Sequence, residues 1–164
     1  GGDIYPALEK GVIDAVEWVG PYDDQKLGFN KVAKYYYYPS WWEGSAQICA
    51  YVNAGKWAEL PKEYQAMLMA ACAEAETEMV ARYDAKNPAA LKQLMASGTK
   101  ILPFPKDVMD TAFKESMALY AEIGDKNPNW KKVYTDFAKF RAEQNLWFRF
   151  AESGFDDFMQ QQKL

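Results

Sequence analysis

The run PKEYQAMLMAACAEAETEMVARYD, residues 61 to 84, sets the tightest limit on what this chain can fold into. Tyr64, Met67, Leu68, Ala71, Cys72, Ala75, Met79 and Tyr83 recur at three- and four-residue intervals, the spacing of one helical stripe. Pro61 suits the opening, because a first-turn residue has no intrahelical use for its amide. The helix predicted here runs about 23 residues, or roughly 35 Å at about 1.5 Å per residue. That length spans a small domain, so the other elements must be arranged along it. Asn87-Pro88 reads as a break, with a second helix expected from there to Gly98.

The pattern before that helix is different. Residues 3–10 read as a short helix, with Asp3 as N-cap and Gly11 as stop. Residues 12–18 alternate as a strand does, and Gly20-Pro21 ends them. Pro21 then opens the helix PYDDQKLGF, with Asp23 and Asp24 near its positive end. KYYYYP, residues 34–39, reads as a strand whose tyrosines point to both faces, so both faces should be covered. SAQICAYVN, residues 45–53, is a second β-like run. Downstream, TKILPFP at 99–105 reads as one short strand. A helix follows from Pro105 to Gly124, and another starts at Asn127-Pro128 with Trp130, Val133, Tyr134, Phe137 and Phe140 on one side. The expected class is α/β with helix dominant. The strands are too few and too scattered to make a full sheet alone.

Composition excludes several functions. The 164 residues suit one domain of ordinary size, and 49% are apolar, enough for a core. Aromatic residues reach 16%, which favours stacked rings or a ring-lined pocket. Net charge is -4 and arginine occurs only at Arg82, Arg141 and Arg149, so nucleic acid is not an expected partner. The absence of histidine removes Ser-His-Asp and Cys-His nucleophiles and every histidine metal site. Cys49 and Cys72 fit neither a redox pair nor a zinc pattern. They read as two small buried residues, with a disulfide between them as the alternative. No segment has the apolar length of a membrane span, and no signal peptide is recognisable. The opening GGDIYPALEKG reads as a chain entered in mid-fold.

The chemistry-bearing residues cluster early. Glu17-Trp18 stands where the first predicted strand runs out. A carboxylate there can face a cleft and offer oxygen to a hard cation such as Na⁺ or Ca²⁺. Trp18 can wall a small ligand, and its backbone carbonyl can add an oxygen. In the other reading, Glu17 lies on the solvent face of an edge strand and Trp18 on the core face. WWEG, residues 41–44, repeats the pairing: Trp42-Glu43 is either a second site-facing group or a loop with packed indoles. Gln47 is a weaker candidate. Glu17 and Glu43 as paired carboxylates would suit a hydrolase, if their separation and one raised pKa allowed it. The aromatic tail LWFRFAESGFDDFMQQQKL serves either the core or a partner-binding helix, so a helical dimerisation module without ligand is a third reading.

The blocks GGDIYPALEKGVIDAVEWVGPYDD, LGFNKVAKYYYYPSWWEGSAQ, NAGKWAELPKEYQ and SGTKILPFP resemble the dicarboxylate-type solute receptors of TRAP (tripartite ATP-independent periplasmic) transporters. The subgroup they most resemble binds 2-oxo acids such as pyruvate, and related hydroxy acids, with a metal cation. The resemblance implies a helix-rich C-terminal half of a two-lobe periplasmic binding protein fold, with residues 1–60 near the cleft, a lobe-spanning helix at 61–84, and a helical part at 85–164. It implies ligand contacts from Trp18, Glu17, Trp42, Glu43 and Gln47, and a Na⁺ or Ca²⁺ ion held by Glu17, Trp18 and Glu43. No other cofactor and no catalysis are implied. The implied partners are a small organic acid, the TRAP membrane permease subunits and a second copy met through the C-terminal helices, all in the periplasm. In that family an arginine upstream of the GGDIY block grips the ligand carboxylate. This chain has no arginine before Arg82, so the resemblance implies half of a site.

Overall fold

The computed structural model describes residues 1–162, which divide into two compact units, Gly1–Pro105 and the helices from Lys106 onward. The first unit is organised along one helix. This helix, α5, runs unbroken from Lys62 to Ala96, over both the predicted 61–84 helix and its successor. Pro88 lies inside it and cannot donate to the Asp84 carbonyl. Asn87 has a role other than opening a helix. Its side-chain oxygen accepts the Tyr22 N–H, at 3.1 Å, from another helix. The residue that signals a helix start in sequence is occupied in capping a neighbour.

That neighbour is α2, Pro21–Lys26, one of three short helices before the first strand, with α1 at Ile4–Glu9 and α3 at Phe29–Val32. Asp3 occupies the N-cap of α1 but makes no side-chain cap bond. Helix α2 lies along the C-terminal part of α5. Gln25 bonds Gln93 across the contact, and Lys86 Nζ donates to the Tyr22 hydroxyl at 3.1 Å. Lys26 and Lys86 both stand over the Tyr22 ring, at 4.3 and 4.8 Å, and the two ammonium groups lower the Tyr22 pKa. The buried apolar side chains of the unit, Leu8, Phe29, Ala90 and Leu94, lie in α1, α3 and this end of α5. The other end of α5 carries Tyr64, Met67 and Met69 in solvent.

Helix α5 stops in a way that aims the next strand. Gly98 takes φ +88°, a left-handed conformation that a side chain resists. The Gly98 N–H then reaches the Met95 carbonyl at 3.0 Å and the Thr99 N–H reaches Leu94 at 3.1 Å, the double bond of a Schellman end. Strand β2, Lys100–Pro103, starts at the next residue and pairs in parallel with β1, Tyr35–Tyr38. Tyr36 faces Ile101 and Tyr38 faces Pro103. Parallel strands need a long crossover, and α5 with the small helix α4, Ala54–Glu59, supplies it.

Other strand expectations do not hold. Residues 12–18 and 45–53 form no strand. Alternation sets which face a side chain takes, but a strand exists only where a partner backbone completes its ladder. Among the described residues none does so for these runs. Of the four tyrosines in β1, only Tyr36 is half-buried, so one face of the pair is covered rather than both. Cys49 and Cys72 are free and exposed, not buried and not bridged.

The second unit is helical. Helices α6, Lys106–Lys126, and α7, Pro128–Phe148, pack as a pair. Asn127 caps α7, accepting the Trp130 N–H at 3.0 Å. Tyr120, Trp130 and Tyr134 form one ring cluster, with Trp130 and Tyr134 stacked at 5.9 Å and 5°. A π-helical turn, Arg149–Ser153, and α8, Gly154–Gln160, complete it. Phe148, Phe150, Phe155 and Phe158 on this tail are exposed.

Leu94 is 1% exposed, and its truncation to alanine should lower the unfolding free energy by about 2–4 kcal/mol in urea titrations. Pro88→Ala should act in the opposite direction. It returns a donor to the Asp84 carbonyl, and a gain of about 1–2 kcal/mol is expected after the looser unfolded chain is set against it. A loss of stability in Pro88→Ala would contradict this account of α5.

Candidate functional site

Ligands of parallel sheets collect beyond the carboxyl ends of the strands. Here both strands end on the same side, and both are followed by aromatic residues. The Phe104 N–H donates to the Tyr38 carbonyl at 2.7 Å, which extends the β2 pairing by one step. Phe104 then stacks on Tyr37 at 5.2 Å and 29°, and receives the Trp42 ring edge-on at 6.3 Å. Trp41 meets Trp42 at 5.3 Å and 85°. Tyr37, Trp41, Trp42 and Phe104 thus make a continuous aromatic wall with open faces, Trp42 being 42% exposed. Phe104 was not apparent as a site residue. Its role depends on the β1–β2 register, which no local pattern specifies.

Glu43 follows Trp42 and is exposed. Its N–H donates to the Ser40 hydroxyl at 3.2 Å, which turns the backbone at that point. Gln47 is also exposed, and its carbonyl has the Cys49 thiol at 3.9 Å. Glu17 is exposed in a loop rather than at a strand end. Trp18 packs its ring edge against Phe29, centroid to centroid at 6.5 Å, and remains 39% exposed. No hydrogen bond or ring contact among the described residues joins Glu17-Trp18 to Trp42-Glu43. Nor do the described residues contain a group of three or more acidic or thiol side chains suited to hold a metal. Arg82 sits exposed on α5 and pairs with Glu78 one turn away.

A residue read only as helix-start chemistry bridges the loop after Trp18 and strand β1. Asp24, in α2, is 8% exposed. It accepts the Tyr36 O–H at 2.6 Å and the Val19 N–H at 3.4 Å. Tyr36 is in β1, which leads to Trp42, and Val19 follows Trp18. Burial raises the Asp24 pKa above its ordinary 3.8, against the lowering effect of the Tyr36 bond. Burial and the adjoining carboxylate likewise push the Tyr36 phenol up. The neighbouring Asp23 carboxylate adds slightly to the Asp24 shift and raises Tyr83.

Residues 1–127 match the family DctP, bacterial extracellular solute-binding protein family 7. The chain belongs to that family. A relative from Nostoc sp., a monocarboxylate 2-oxoacid-binding periplasmic protein, is 45% identical over 158 residues, covering 96% of this chain and 43% of its own length. A TRAP transporter solute-binding protein from Bordetella bronchiseptica is 54% identical with a TM-score of 0.94, over 96% of this chain and 47% of that one. Its crystals contained a mixed-occupancy dimer with copurified calcium and picolinate in one active site and an apo site in the other. A TRAP periplasmic solute-binding protein from Pseudoalteromonas atlantica, with bound sodium and pyruvate, is 29% identical with a TM-score of 0.83, over 99% of this chain and 49% of that one. The chain therefore spans a little under half the length of these relatives. Both the helix-rich α/β fold and the periplasmic compartment implied by the sequence resemblance agree with this membership.

Because the folded-state pKa of Asp24 is raised, the proton it binds favours the folded state. Its contribution is fully present below pH 3.8 and is lost as pH rises through the raised value. Asp24→Asn removes that dependence. Urea midpoints measured from pH 7 downward should therefore show the parent gaining stability relative to Asp24→Asn as the pH approaches the carboxylate range. A difference that is flat or opposite in sign would contradict the raised pKa.

Proposed function

We propose that this chain forms the C-terminal part of a TRAP solute receptor, which captures a small organic acid with a Na⁺ or Ca²⁺ ion in the periplasm and delivers it to the membrane permease. The ligand is a 2-oxo acid such as pyruvate, or a related hydroxy acid. The observation that carries this reading is the aromatic wall at the carboxyl ends of two parallel strands, in a chain with the fold of a calcium- and picolinate-bound receptor. A flat, conjugated acid suits such a wall, because its faces can lie against rings while its oxygens remain in plane.

The charges argue for the cation. A 2-oxo acid carries a negative charge, and Glu17 and Glu43 would repel it unless a positive ion stood between them. Oxygen donors from Glu17, Glu43 and the Trp18 carbonyl have the hardness that Na⁺ and Ca²⁺ require. They are too few to complete a coordination shell, so the acid's own oxygens and water would supply the remainder. Trp18 and Trp42 wall the ligand, and Gln47 offers an amide to its polar edge. An arginine elsewhere in the receptor would complete the grip on the carboxylate, as a bidentate pair. The role is binding without turnover. Glu17 and Glu43 are both exposed, which is a poor setting for the paired acid and base that a hydrolase needs.

The tail supports pairing with a second copy. Trp147 and Phe150 lie 6.1 Å apart, and Phe150 is 83% exposed, so the tail presents rings that a partner surface would cover. Deleting residues 146–164 should convert a dimer to a monomer in light scattering while pyruvate binding persists.

Thermal unfolding of the receptor tests the main reading. Pyruvate with calcium or sodium, at about 100 times its Kd, should stabilise the folded state by about 2.7 kcal/mol. Chelation or sodium replacement should reduce that shift, and Glu17→Ala should abolish the cation dependence. A parent protein indifferent to pyruvate under both cations would sink the proposal.

A further inference from the structure

The loop that carries Glu17 and Trp18 has few internal bonds. At its start, the Val12 and Ile13 amides both point to the Ala7 carbonyl, at 2.8 and 3.4 Å. From Asp14 to Val19 the described residues provide one further hydrogen bond, from the Val19 N–H to Asp24 Oδ1. It is a long bond, but it lies one residue beyond Trp18. The other oxygen of the same carboxylate takes the short Tyr36 bond, in the middle of β1. β1 is the strand that sets Trp42 against Phe104. The helix that carries Asp24 is itself fixed to α5 through the Asn87 cap.

From this arrangement we infer that Asp24 is a positioning residue for ligand binding, setting the Glu17-Trp18 loop relative to the strand that presents Trp42-Glu43. The inference rests on the reading that these four residues face one ligand. Asp24 touches neither ligand nor cation in this scheme. It acts by holding a backbone that has no ladder of its own. Outer-sphere groups of this kind commonly matter because a donor set displaced by a fraction of an ångström cannot satisfy the ion and the ligand together.

A purely structural role would lower thermal stability and leave the affinity of the folded protein alone. The two are separated by calorimetric titration of pyruvate into the receptor in calcium chloride, well below the melting temperature. Asp24→Ala removes both links and should weaken pyruvate binding by about tenfold or more. Tyr36→Phe removes only the strand link and should weaken it measurably, though less than Asp24→Ala does. Asp24→Asn can still accept from Val19 and can donate its amide to the Tyr36 oxygen, so it should recover most of the affinity lost in Asp24→Ala. If Asp24→Ala fails to fold, Tyr36→Phe decides alone. Parent-like affinity in Tyr36→Phe and in any folded Asp24→Ala overturns the inference while the functional reading stands. A parent that binds no pyruvate with calcium or sodium removes that reading, and the inference with it.

Discussion

A buried carboxylate ties the loop after Trp18 and strand β1 to helix α2. Asp24 accepts a proton-bearing group from β1 and an amide from the loop after Trp18, and it sits on a helix capped by α5. Burying a carboxylate is costly unless its oxygens are occupied. The Tyr36 hydroxyl meets that need at 2.6 Å, a distance typical of bonds to charged oxygen. The raised pKa shows that compensation is incomplete. Such a group holds its surroundings in one arrangement, because other arrangements would leave it less well satisfied.

The same reliance on side-chain links appears between α2 and α5. Few apolar residues are fully buried in this unit, and the helix contact is dominated by named polar pairs: Tyr22 with Asn87 and Lys86, Gln25 with Gln93. Hydrogen bonds are directional, so they fix the relative rotation of two helices more narrowly than a small apolar patch would. The second unit uses the opposite means, an aromatic cluster of Tyr120, Trp130 and Tyr134 between two long helices.

Helix starts were legible in the sequence because their causes are local. Pro21, Pro61, Asn127 and Pro128 stand where helices open, and Gly11 and Gly98 take the left-handed turns that end them. The strands at 35–38 and 100–103 were legible for similar reasons, through β-prone runs bounded by turn residues. Residues 12–18 and 45–53 had the pattern of strands without the partner that makes one. Asn87-Pro88 carried a break signal, yet α5 runs through it while the Asn87 side chain accepts a bond from another helix. Of the candidate site, Trp42 could be named from sequence, but its neighbour Phe104 depends on pairing across about sixty residues of chain. Asp24 was visible as an acid near a helix start, not as a link between a loop and a strand. Glu17, Glu43 and Gln47 are all exposed, and no hydrogen bond among the described residues brings them together.

Cys49 and Cys72 are both free and exposed, and the compartment of the family is the periplasm. Thiols in an oxidising compartment are open to disulfide exchange with whatever they meet. Thiols that stay accessible in the whole receptor would permit covalent dimers, and longer adducts, that owe nothing to the rings of the tail. Size alone would therefore not separate such adducts from the tail-mediated pairing proposed above. Only association that survives a reductant belongs to the non-covalent interface.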